Sequence, residues 1–184
     1  MTRFASFPQV FPELRCNSVL LRALTEADIP AWYARATDVE AADLAGDPVP
    51  ESIDMGRPWL QTSRDRFNSQ IGLRWAIVPH GEASSVGTVG LLAKSESEAE
   101  LGVVIARARW SQGIGTAAVR LAVAYAFEEL SVSELQAHVL QRNPASIRLL
   151  EKAGFTQCGV IQPTEAEPEE LLLYKLRSGR NSAA

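Results

Sequence analysis

At 184 residues with 46% apolar content, the chain is long enough to bury one full core, and nothing in its length calls for a second domain. A net charge of −4 with no basic face removes the main electrostatic drive for nucleic-acid binding. The longest uncharged apolar stretch, 121–127, falls far short of the ~20 residues that span a bilayer, and Met1-Thr2-Arg3-Phe4 opens no apolar secretory signal. The expectation is a soluble, cytoplasmic single domain over 1–184, with its core at about 18–176 and a frayed tail at 178–184.

In chain order, residues 18–24 alternate as a strand, and Thr25 then reads as the N-cap of a helix with Asp28 three residues on. Residues 34–70 are less regular and carry Pro48, Pro50 and Pro58; a helix at about 53–67 turns Trp59, Leu60 and Phe67 inward. Three short β-like runs, 73–78, 86–92 and 100–105, are separated by polar turns and read as an antiparallel meander. The period then changes. Residues 113–130 are apolar almost all round, which marks a largely buried helix.

A strand at 135–140 follows, and the helix between it and the 100–105 strand makes the two parallel neighbours. The next helix, 143–153, is punctuated at both ends: Asn143 as N-cap, Pro144 at the first helical position and Gly154 just beyond. Strands at 155–161 and 171–176, joined by a charged link at 165–170, complete a mixed, mostly antiparallel α/β domain with helices on both faces. Cys16 and Cys158 lack metal-ligand spacing and read as free thiols. His80 and His138 join no cluster that suggests a metal.

The chemistry concentrates between residues 100 and 155. A helix that begins in a glycine turn, Gln112-Gly113-Ile114-Gly115-Thr116, leaves backbone N–H groups unpaired at the positive end of its dipole, which suits an anion such as a phosphate. The same string fits the dinucleotide fingerprint GxGxxG/A, but that motif belongs in the first strand–helix unit of a parallel sheet, and here antiparallel strands precede it. A second ligand-suited feature, Asn143-Pro144-Ala145-Ser146, follows the next strand. Residues 35–57 hold six acidic residues between Arg35 and Arg57 with no basic one: Asp38, Glu40, Asp43, Asp47, Glu51 and Asp54. They form either a solvated face or an acceptor wall whose field favours a cationic amine. Trp32 and Trp59 belong to that wall or to the core.

The motif Trp110-Ser111-Gln112-Gly113-Ile114-Gly115, followed by Asn143 through Phe155, resembles the acetyl-CoA-binding core of the GNAT N-acetyltransferases, and within them the RimJ/RimL type that acetylates ribosomal-protein N-termini. The resemblance implies a central pair of splayed parallel strands. It seats the pyrophosphate of acetyl-CoA on Gln112, Gly113, Ile114, Gly115 and Thr116, pairs the pantetheine arm with the backbone of Val103, Val104 and Ile105, adds Asn143 as a pantetheine contact, and leaves Arg107 and Arg109 near the phosphates. Trp110 departs from the more usual Gln or Arg at the first motif position. Leu150 stands where many GNAT enzymes carry a tyrosine general acid, so Ser146 or solvent would protonate the departing thiolate. Glu100 is the candidate general base for a primary-amine acceptor, a protein N-terminus or small amine, with Glu98 or an acidic residue of the helical segment as substitute. Backbone N–H groups at Val104 and Ile105 would hold the developing oxyanion. The family also makes a homodimer plausible. From another class, a catalytically silent acyl-CoA-binding module would keep the cofactor grip without the base.

Overall fold

The computed structural model describes residues 2–164 and 169–179; residues 165–168 of the expected link and 180–184 of the expected tail lie outside the described residues. Eight strands form one sheet: β1 (Leu14–Arg15), β2 (Val19–Ala23), β3 (Gly72–Pro79), β4 (Gly87–Ala93), β5 (Glu98–Ile105), β6 (Glu134–Leu140), β7 (Thr156–Ile161) and β8 (Leu171–Arg177). Their order is β1-β2-β3-β4-β5-β6-β8-β7, and every pairing is antiparallel except β5 with β6. The helices are α1 (Ile29–Ala36), α2 (Val39–Ala45), α3 (Gly56–Asn68), α4 (Ile114–Glu128) and α5 (Pro144–Lys152). The meander, the crossover through α4 and the mixed sheet match the expectation; β1 and α2 were not expected, and residues 53–55 form a 3₁₀ turn that leads into α3.

The two faces of β3 explain how the layers divide. Trp75 and Ile77 point to one side and join the core cluster of Ala118, Val119 and Ala122 from α4. Ala76 points to the other and packs with Leu24, Ile29 and Leu60 under α1 and α3. Ala118, Ala122 and Ala126 recur every four residues along α4 and are fully buried, so small side chains let the helix lie close on the sheet. Trp75 meets Tyr125 edge-on with centroids 5.7 Å apart, and its indole N–H donates to the Pro12 carbonyl at 2.8 Å, so the largest buried side chain has its polar atom satisfied.

Thr25 and Asp28 behave as their spacing predicts. The Asp28 carboxylate, 2% exposed, accepts from the Thr25 N–H at 2.9 Å and from both arms of Arg22 at 2.8 and 3.0 Å, which ties the start of α1 to β2. Burial raises the Asp28 pKa, but the hydrogen bonds from Arg22, Thr25 and Ser85 outweigh it and hold the carboxyl below its usual range.

Candidate active site

The turn ahead of α4 is shaped by two left-handed residues, Ser111 (φ 62°) and Gly113 (φ 78°). Gly113 is the N-cap and brings no side chain to close the helix mouth, and the first turn contains no acidic residue. The first bond of the helix runs from Ala117 N–H to Gly113 O at 3.0 Å, so the N–H groups of Ile114, Gly115 and Thr116 lie ahead of the ladder, and none donates to a described residue. A Cβ at Gly113 would meet nothing within 4 Å, whereas one at Gly115 would lie 2.6 Å from Leu149 Cδ1 and 3.4 Å from Ile105 Cγ1. The two glycines therefore serve different ends: Gly113 permits the backbone turn, and Gly115 lets α4 sit against α5 and the end of β5.

That mouth opens on a gap in the sheet. The parallel pairing of β5 with β6 covers only Glu98–Glu134, Ala99–Leu135 and Glu100–Gln136, and from there to Ile105 the strands are unpaired with each other. Ala106 N–H donates to Val86 O at 2.8 Å, so by alternation the even-numbered residues of β5 bond to β4 while Val103 and Ile105 turn their backbone groups toward the gap. Trp110 donates its indole N–H to Ile105 O at 2.8 Å, so the aromatic residue that departs from the usual motif closes off the last strand carbonyl. Val103 N–H and C=O and Ile105 N–H remain facing the gap. Val104, expected to share in holding an oxyanion, is turned instead into the ladder opposite Thr88.

Residues 18–156 match the acetyltransferase (GNAT) domain family, and the uncharacterized N-acetyltransferase YoaA of Bacillus subtilis is 32% identical over 155 residues, 83% of this chain and 88% of YoaA. This chain belongs to the GNAT acetyltransferase family. Among solved structures it is similar to RimJ of Mycobacterium smegmatis in complex with CoA-disulfide (TM-score 0.76, 20% identity, 94% of this chain and 89% of that one). It is also similar to spermidine N-acetyltransferase of Vibrio cholerae in complex with CoA and spermine (TM-score 0.73, 18% identity, 86% of this chain and 95% of that one). At these identities the likeness is one of fold, and it includes the RimJ type that the motif resembles. As a GNAT acetyltransferase the protein is an acyltransferase.

The remaining site residues of this GNAT domain fall into two groups. Glu100 lies where the parallel pairing ends; Lys94 Nζ donates to Oε2 at 3.1 Å, and His138 Nδ1 on β6 is 3.7 Å from Oε1. His138, which the sequence reading assigned no role, thus faces the candidate base across the start of the gap. Ser146 receives its helix cap through its backbone N–H, which donates to Asn143 Oδ1 at 3.0 Å, while its half-buried hydroxyl has no partner among the described residues. Asn143 is occupied at both ends, since its Nδ2 also donates to Leu44 O at 2.9 Å. Gln112 folds back, Nε2 donating to Ala108 O at 3.1 Å. The two arginines expected near the phosphates are already paired: Arg109 with Glu82 at 2.7 Å, and Arg107 with Asp38 and Glu40 at 2.8 and 2.6 Å.

Much of the acidic stretch is used internally. Besides Asp38 and Glu40, Asp43 takes both arms of Arg142, which also binds Glu169. Arg107 follows β5 and Arg142 follows β6, so α2 is strapped to the ends of both diverging strands. Asp38 caps α2 by accepting from Ala41 N–H at 3.3 Å, and Gly46 ends it at φ 70°. The sequence signal for this helix was present in that Asp–Gly punctuation but is short. Among the described residues no group of three or more His, Cys, Asp or Glu side chains is placed to hold a metal, and no helix is long and apolar enough to cross a membrane. Cys16 and Cys158 are exposed free thiols.

Proposed function

We propose that the protein transfers the acetyl group of acetyl-CoA to a primary amine by direct attack within a ternary complex. The observation that carries this reading is the uncapped mouth of α4 opening on the unpaired part of β5. Three N–H groups without a partner among the described residues, in a first turn that holds no acidic residue, suit a pyrophosphate, and the backbone groups that Val103 and Ile105 turn to the gap suit the amides of an extended pantetheine arm. The family membership and the CoA complexes of the structural neighbours support the same co-substrate.

Glu100 takes the proton of the acceptor ammonium, directly or through a water, so that the amine nitrogen gains a lone pair and attacks the thioester carbonyl. Its carboxylate is on the face of β5 that bears the even-numbered residues, away from α4, so the amine would approach from the α1–α3 side while the CoA enters between the strands. The N–H of Ile105 is the donor available to the developing oxyanion. The carbon–nitrogen bond forms, the oxyanion collapses as the carbon–sulfur bond breaks, the nitrogen's second proton passes to solvent, and the departing thiolate takes a proton from solvent or from Ser146, which water reprotonates; a thiol of pKa near ~8.5 leaves without strong acid help. Positioning and oxyanion stabilisation make up most of the catalytic contribution.

Calorimetry of the full chain with acetyl-CoA, followed by an assay for thiol released on adding amines, tests both halves. Binding together with amine-dependent release is expected. Binding without release from any amine would reduce the protein to an acyl-CoA-binding module, and absence of binding would remove the reading altogether.

A further inference from the structure

The sheet face under α1 and α3 carries two arginines whose guanidiniums meet no carboxylate among the described residues. Arg35, in the last turn of α1, lines a recess with Trp32, Trp59 and Thr88. Arg74, on β3, stands opposite Gly90 of β4, one alternation along from the pair Ala76–Thr88, so its side chain rises on the same face as Thr88. Arg22, Arg107, Arg109, Arg142 and Arg177 each have a carboxylate within 2.8 Å. The guanidiniums of Arg35 and Arg74 have neither a hydrogen bond nor an ion pair among the described residues, although both side chains are half-buried.

Every described side-chain nitrogen sealed from solvent has a partner, so the unpartnered nitrogens of these two arginines each keep some contact with solvent. Burial lowers the Arg35 pKa to about 10, with Asp47 partly offsetting it and the like charge of Arg74 adding to the drop. Arg74 is lowered by burial and then by Arg66, against the same Asp47. Arg35 and Arg74 thus share the field of Asp47 without touching it. Guanidinium groups taken partly out of water without a partner cost folding stability, and an anion from outside would relieve that cost.

The floor beside them is bare. Gly90 is opposite Gly102 of β5, so a line two strand spacings long, about 10 Å, runs from Arg74 to β5 without a side chain on this face. A Cβ at Gly102 would meet nothing within 4 Å, and Glu100 is the next residue of β5 on the same face.

We infer that the acceptor amine also bears an anion, a carboxylate in the simplest case, which Arg35 and Arg74 grip while the amino group lies along the Gly90–Gly102 trough toward Glu100. The inference rests on the acetyl-transfer reading above and narrows it to amino acids or peptide N-termini with a carboxylate a few bonds from the amine. The planar fork of an arginine matches a carboxylate in two-point contact, whereas a polyamine would bring a second ammonium against the same cluster.

The test measures thiol release by the full chain with acetyl-CoA and C-terminally amidated peptides of one length whose second residue is Glu, Gln or Lys, alongside free glutamate, glutamine α-amide (which has no carboxylate) and spermidine. The carboxylate-bearing amines should be favoured by about tenfold or more in kcat/KM, an amount of the kind expected for a charge-assisted contact. In Arg35→Gln and Arg74→Gln that preference should fall toward parity through KM, while use of the neutral amines is retained. Neither variant should melt below the wild type, because neither arginine has an internal partner to lose; Arg74→Lys, which keeps the charge, should retain part of the preference. Peptide against free amino acid distinguishes a chain terminus from a metabolite. Equal or better use of the Gln, Lys or spermidine amines would overturn the anion site and leave acetyl transfer standing. If no amine releases thiol, calorimetry of glutamate against the acetyl-CoA complex decides: uptake lost in both Gln variants supports the site, and no uptake overturns it.

Discussion

The two sides of the β5–β6 gap are built from different materials. On the α4 side the site is main chain: three N–H groups at a helix mouth, the unpaired edge of Val103 and Ile105, and a glycine that allows the turn. On the α1–α3 side it is side chain: Glu100 between Lys94 and His138, an acidic helix strapped by arginines, and two unpaired guanidiniums. Backbone donors tolerate sequence change as long as the fold persists, whereas side-chain charges can be exchanged one at a time.

Four substitutions probe this contrast, from the largest expected effect to the smallest. Glu100→Gln should lower turnover by about 10²-fold or more near neutral pH, the usual contribution of a positioned base, and by less at alkaline pH where free amine is abundant; a uniform small loss would move the base to another residue. Gly113→Asp should weaken acetyl-CoA binding about 10²-fold, because it sets a negative charge and a side chain against the phosphates in a left-handed position. Unchanged affinity by calorimetry in a folded variant would detach the main-chain side from the co-substrate.

Asp28→Asn should cost about 2 kcal/mol in urea melts at pH 7, since it leaves the Arg22 fork facing a neutral amide in a largely buried setting. The folded-state pKa of Asp28 lies below its unfolded value near 3.9, so this contribution is whole above about pH 4 and is lost as pH falls through the folded value. The gap in stability between wild type and variant should therefore narrow at pH 3; a constant gap would mean that the charge is not what matters. Arg142→Ala should change the melting temperature least, as its contacts are exposed and screened by salt, while altering acceptor KM more than acetyl-CoA affinity.

What could be read from the chain follows the same division. The glycine turn, α4, the meander and the Asn143-Pro144 helix start announce themselves because each is encoded locally, by a period, a cap or a required φ. Gly115 belongs to the pyrophosphate seat that the motif implies, and its closeness to Leu149 shows a packing role that depends on α5, more than thirty residues away. The acidic run from Asp38 to Asp54 invited a cationic acceptor, but three of its six carboxylates meet Arg107 or Arg142, about 70 to 100 residues distant. Likewise nothing local marks Arg35 and Arg74 as companions, since their nearness comes from α1 lying across the meander. The two-residue β1 and the seven-residue α2 are too short for periodicity to reveal.

The strap across α2 gives dissolved ions a hold on the enzyme. The fork between the diverging strands is bridged at its open end by guanidinium–carboxylate contacts in water, where charges are screened within about 8 Å at physiological salt. Brine would slacken this tie-rod while leaving the alanine-lined seam under α4 untouched, so the ease with which a ligand wedges the fork apart answers to the medium as much as to the protein.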